Sequence, residues 1–84
     1  MYEVLLSKQA EHDLRRLPAN VFRQVVPRIQ ALAKDPRPSG CRKLAGSVND
    51  WRIRVGNYRV VYEINDKKLV VRVMRVRPRK EAYR

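Results

Sequence analysis

The sequence predicts an α+β domain in the order β-α-α-β-β-β, an antiparallel sheet with an N-terminal helical hairpin packed on one face. Three observations carry this. Asp50 to Ile64 reads as two alternating runs meeting at Gly56-Asn57, a two-residue hairpin signal because glycine accepts the positive φ of the tight turn. Apolar residues recur at helical spacing between Ala10 and Ala33, broken once at Pro18. A third alternating run, Leu69 to Val76, follows a polar turn at Asn65-Asp66-Lys67.

Taken in order, Tyr2 to Leu6 is a short strand, apolar on both sides except at Glu3. Ser7 caps a helix from Lys8, its hydroxyl accepting a free backbone N–H. Ala10, Leu14 and Leu17 mark that helix's apolar face. Pro18 suits the first turn of a second helix, whose stripe is Val21, Val25, Ile29 and Leu32, widened by Phe22, Val26 and Ala33. Pro27 lies inside it, and because the apolar period continues on both sides a kink is expected in place of a stop. Asp35 to Gly40 holds two prolines and a glycine and is a loop. Cys41 to Leu44 reads as a basic connector.

A two-residue turn pairs Val55 with Tyr58, Arg54 with Arg59 and Trp51 with Tyr62. Alternation then gathers Trp51, Ile53, Val55, Tyr58, Val60, Tyr62 and Ile64 on one face. The other carries Arg52, Arg54, Arg59, Val61 and Glu63, and the last strand adds Leu69, Val71 and Val73 to the first face and Arg72 to the second. The helices cover the Trp51 and Tyr62 face and leave the arginine face open. Like charges directly opposite each other destabilise a sheet, so an open face of arginines fits phosphate better than it fits stability.

Composition points the same way. Twenty Lys and Arg against 8 Asp and Glu give a formal +12, an imbalance that favours polyanions. A hydrophobic share of 44% over 84 residues predicts one folded domain, residues 1–84. No apolar run approaches the roughly 20 residues of a membrane span, so no membrane partner is expected. The N-terminus lacks the basic start and long apolar stretch of a signal peptide. Cys41 is the only cysteine, which excludes an internal disulfide and fits a reducing cytoplasm. One His and one Cys leave no basis for a zinc site or a Cys-His dyad, and no glycine-rich loop with a following lysine is present. No metal and no cofactor are expected. Arginines and tyrosine remain, and they suit RNA cleavage by the 2′-hydroxyl: cations on the phosphate, a base for the 2′-OH and an acid for the 5′-oxygen. Tyr83 could move a proton beside cations that lower its pKa, stack on a base, or be a plain terminal residue.

Trp51-Arg52-Ile53-Arg54-Val55-Gly56-Asn57-Tyr58-Arg59-Val60-Val61-Tyr62, with Arg42-Lys43-Leu44 before it and Arg79-Lys80-Glu81-Ala82-Tyr83-Arg84 after it, resembles the RelE/ParE toxin superfamily. Leu14 to Pro18 and the Asp35-Pro36 helix exit are also similar. The resemblance implies the same fold, and the toxin of a type II toxin–antitoxin pair held by a RelB-like antitoxin. An acidic, partly disordered partner would also neutralise the arginine face. The RelE branch cuts mRNA in the ribosomal A site, so ribosome and mRNA are implied partners. The ParE branch inhibits DNA gyrase and lacks the catalytic basic set. By position the RelE set falls on Arg52, Arg54, Arg59, Arg79 and Tyr83, with Arg72, Lys43, Lys80 and Arg84 as further phosphate binders. The expected activity is therefore a metal-independent, ribosome-dependent endoribonuclease. A ParE-like gyrase inhibitor and an inactive basic RNA-binding module are the alternatives. The best-known member has lysines on the second strand, one proposed as general base. Here both are arginine, a poor base at neutral pH, which leaves Tyr83, Glu81 or a held water for that role. Arg77-Pro78 replaces the Gly-His often found there.

Overall fold

The computed structural model describes residues 1–79. Strand β1 (Glu3–Leu6) leads into helices α1 (Lys8–Arg15) and α2 (Ala19–Ala31), followed by β2 (Arg42–Lys43), β3 (Asp50–Val55), β4 (Tyr58–Asn65) and β5 (Val70–Pro78). The five strands form one sheet in the order β1-β5-β4-β3-β2. The α+β class and the helix-covered sheet are as the sequence predicts, with two differences. The Cys41–Leu44 connector contains the two-residue strand β2, too short for any period to betray. The sheet is also not wholly antiparallel, because β1 pairs in parallel with β5. A short run of three apolar residues, Val4 to Leu6, announces a strand but not which distant strand it joins.

Ser7 does more than cap. Its Oγ accepts from Ala10 N at 3.0 Å and donates to Met74 O at 2.9 Å, so the start of α1 is tied to β5. Pro18 stands just before α2, and its carbonyl accepts the Phe22 N–H. α2 runs through Pro27, which lies on the exposed side. Ala10, Leu14, Val25, Ile29 and Leu32 from the helical segment meet Ile53, Val55, Val60, Tyr62, Ile64, Val71, Val73 and Val76 from the sheet in one core. Tyr62 is fully buried, and its hydroxyl donates to Pro36 O at 2.7 Å, pinning the loop after α2. Burial, followed by the nearby Cys41 thiol, pushes the Tyr62 phenol well above its ordinary range. Arg37 closes the far end of the sheet, forking onto Asp66 and lying 5.1 Å from the Trp51 ring centre.

The hairpin register is the expected one: Val55 faces Tyr58, Arg54 faces Arg59 and Trp51 faces Tyr62. Gly56 has φ +58, the left-handed value that the first central residue of a type II′ turn requires. Leu69 departs from expectation. It is the last residue of the β4–β5 turn, at φ 55 and 48% exposed, and does not join the core face, because the turn needs a left-handed residue before the strand can start.

A bulge shapes the functional end of the sheet. Val61 faces Arg75 while its neighbour Tyr62 faces Val73, so Met74 is an extra residue on β5. Without it, alternation from Val71 and Val73 would drive Arg75 and Arg77 into the core. With it, Val76 takes the core position at 3% exposure and Arg77 turns to the other face.

Candidate nucleic-acid interface

Residues directly opposite each other across a sheet share a face, with Cβ atoms about 4.5–5.5 Å apart. The register therefore builds a row of three arginines across three strands: Arg54 on β3, Arg59 on β4 and Arg77 on β5. Arg52 stands two residues along β3 from Arg54, about 7 Å away at strand rise, and faces Arg42 on β2. The row ends beside the Gly56-Asn57 turn. There Arg79 N donates to Asn57 O at 2.9 Å, hooking the chain after β5 onto that turn. Five arginines and the start of the tail are thus gathered at one end of the open face. Arg54 is exposed, whereas Arg59, in the middle of the row, is 8% exposed. Such a row concentrates positive potential where a phosphate can be gripped by planar, forked donors.

The other end of the same face has a different balance. Asp50 faces Glu63, and Glu63 faces Arg72. Arg72 therefore has a carboxylate opposite it and lies four strand residues from the arginine row, about 13 Å. The structure does not bring it into the cluster. Lys43 faces Trp51, which places it on the helix-side face and away from Arg52. Lys80, Tyr83 and Arg84 lie outside the described residues. Of the expected set, the structure brings together Arg52, Arg54, Arg59 and Arg79.

Two residues were missed by sequence reasoning. Arg42 joins Arg52 through a strand that the periodicity could not reveal. Arg77 enters the row because of the bulge, which does leave a trace in the sequence: Val71, Val73 and Val76 are spaced two and then three.

Asp13 holds this end of β5 in place. β1 stops at Leu6, leaving the outer edge of β5 uncovered beyond Val73, whose carbonyl accepts the Ser7 N–H. The Asp13 carboxylate, on α1, accepts from Val76 N at 2.9 Å and from Arg75 Nε at 2.9 Å and Nη2 at 3.4 Å. Pro78, the next residue whose nitrogen faces that edge, has no N–H to satisfy. Partial burial pushes the Asp13 carboxyl up, but the bonds from Arg75 and Val76, with the charges of Arg75 and Arg77, outweigh it and hold it below the ordinary carboxylate range. Among the described residues no cluster of three or more His, Cys, Asp or Glu could hold a metal ion, and no helix is long and apolar enough to cross a membrane.

Residues 4–83 match the family described as the ParE toxin of the type II toxin–antitoxin system parDE. Toxin RelG of Mycobacterium tuberculosis is 33% identical over 87 residues, spanning 99% of this chain and 97% of that protein. Toxin RelE3 of Methanocaldococcus jannaschii is 32% identical over 89 residues, spanning 96% and 94%. Among solved structures, the fold matches the archaeal RelE–RelB complex from Pyrococcus horikoshii with a TM-score of 0.82 at 31% identity, over 93% of this chain and 94% of that one. It matches the isolated E. coli RelE toxin with a TM-score of 0.82 at 29% identity, over 99% and 92%.

Proposed function

The chain belongs to the ParE toxin family of type II toxin–antitoxin systems and is RelE-like, and from that premise we propose that it is a ribosome-dependent endoribonuclease. It cuts mRNA in the A site by attack of a 2′-hydroxyl on the adjacent phosphate, without a metal. The observation that carries this reading is the Arg54-Arg59-Arg77 row beside Arg52 and Arg79. In the reaction the O2′–P bond forms and the P–O5′ bond breaks, leaving a 2′,3′-cyclic phosphate and, once the departing 5′-oxygen takes a proton from water, a 5′-hydroxyl. Negative charge grows on the non-bridging oxygens as the phosphorus becomes five-coordinate. Arg59, with Arg54 and Arg52, binds those oxygens more strongly in the transition state than in the ground state, which is what accelerates the step. Arg79, hooked to Asn57, clamps a flanking phosphate. Arginine stays protonated at neutral pH, so it stabilises charge and does not accept the 2′-OH proton. Tyr83, Glu81 or a held water takes that proton, with Lys80 and Arg84 as further phosphate binders.

Support for an antitoxin partner comes from the RelE–RelB complexes that the fold matches and from charge: a formal +12 calls for an acidic binder. The ParE name of the matching family favours a second reading, inhibition of DNA gyrase without cleavage. Primer extension on mRNA bound to purified ribosomes separates the two. Cuts inside the A-site codon that require both ribosome and protein support the endonuclease. An uncut message together with lost gyrase supercoiling overturns it in favour of the second.

A further inference from the structure

A cleft of about 290 Å³ opens between the C-terminal end of α1 and the end of β5, around the sheet edge from the arginine row. Three arginines line it: Arg16 from the end of α1, and Arg75 and Arg77 from β5. The one carboxylate there, Asp13, is already bound to Arg75 and to the Val76 N–H. The cleft therefore carries two more positive than negative charges. The rest of its lining comes from Tyr58, which also packs against the core, with Leu17 and Pro78. Tyr58 and Pro78 face each other across β4 and β5, one step from the Arg59-Arg77 pair. Arg77 thus belongs to both the row and the cleft.

Cation and aromatic surface side by side, in a concavity near the lower end of ligand-pocket size, are what a single nucleotide recognises: arginine takes the phosphate and the ring stacks on the base. We infer that this cleft is a nucleotide subsite, taking the phosphate and base next to the phosphate held on the Arg54-Arg59-Arg77 row. The inference rests on the RNA-cleaving reading above and specifies where the strand runs: over the end of the open face, past Arg77 and around β5 toward α1. An acidic segment of a protein would satisfy the arginines equally well, but it would leave the aromatic residue in the lining, Tyr58, without a use.

The test is NMR titration of the isotope-labelled chain with a 2′-O-methyl trinucleotide, which has no attacking hydroxyl and needs no ribosome. Amide shifts at Arg16, Leu17, Tyr58 and Arg77 are expected. Arg16→Ala should weaken binding about fivefold and lower the slope of log K against log salt by about 0.7, one phosphate contact to a single strand. Tyr58→Leu, which keeps the apolar volume, should weaken binding without changing that slope. Shifts confined to the Arg52 and Arg54 face, with Arg16→Ala binding as wild type, overturn the subsite and leave the cleavage reading untouched. Perturbation of the cleft by an oligoglutamate and not by the trinucleotide overturns it in favour of an acidic protein. No perturbation anywhere at millimolar trinucleotide overturns it as well, and A-site cleavage is read independently on the ribosome.

Discussion

Removing the Asp13 carboxylate should unfasten the end of β5 on which the arginine row depends. Asp13 has a side chain 12% exposed and bonds both Val76 N and Arg75. In Asp13→Ala the Val76 N–H loses its acceptor at an edge that β1 does not cover, a loss of about 2 kcal/mol for a stranded donor. The Arg75 pair adds at most about 1 kcal/mol, because Arg75 is 38% exposed and water screens it. The sum, about 2–3 kcal/mol, is a large share of the roughly 4–12 kcal/mol expected for an 84-residue domain. Urea titration followed by Trp51 fluorescence should show the midpoint falling by about 1–2 M at unchanged slope. Asp13→Asn keeps an acceptor for Val76 and should lose only about 1 kcal/mol. The pH dependence has a fixed sign. The folded carboxyl titrates below its ordinary 3.8, so its contribution is present above that value and is lost as pH falls through the folded value. The gap between wild type and Asp13→Ala should therefore close below pH 3.8. An Asp13→Ala midpoint within 0.2 M of wild type at pH 7, a shift of well under about 0.5 kcal/mol, would refute the fastening role.

The remaining expectations concern the row, the core tyrosine and the hairpin. Arg59→Ala should slow single-turnover cleavage by about 10²–10³-fold, the usual effect of losing one preorganised donor, while Arg72→Ala, opposite Glu63 and outside the row, should change it less than about threefold. Equal losses for the two variants would remove the special status of the row. Tyr62→Phe deletes the buried bond to Pro36 O and should lower stability by about 1 kcal/mol, with faster proteolysis in the 35–40 loop. Because the folded Tyr62 phenol titrates above its ordinary 10.0, wild-type stability should hold below that pH and fall as pH rises beyond it, and Tyr62→Phe should lack this alkaline loss. Gly56→Ala meets only Gln24 Oε1 at 3.6 Å, an ordinary contact, so its effect should come from the +58° φ alone, about 1–2 kcal/mol by thermal melting.

The hairpin was legible in full, because Gly56-Asn57 fixes both turn and register and the register fixes which side chains share a face. The α1 cap at Ser7 and the core stripe through Leu14, Val25, Ile29 and Leu32 were legible for the same local reason. What escaped is non-local. β1 finds β5 across more than sixty residues, and β2 exists only because β3 offers it an edge. The row's third arginine depends on where β5 bulges, and alternation alone assigns Arg77 to the wrong face. The face shared by Arg52, Arg54, Arg59 and Arg72 followed from alternation, whereas the carboxylate opposite Arg72 and the helix-side position of Lys43 needed the pairing of β5 and β2.

The central claim is that a row of arginines promotes attack by the message's own 2′-hydroxyl. It is tested most directly by programming ribosomes with an mRNA carrying a single 2′-deoxy residue at the nucleotide before the cut. The unmodified message should be cut, leaving a 2′,3′-cyclic phosphate, and the deoxy message should stay intact at that bond with wild-type protein. Equal cutting of both messages, or a product ending in a 5′-phosphate, would contradict it.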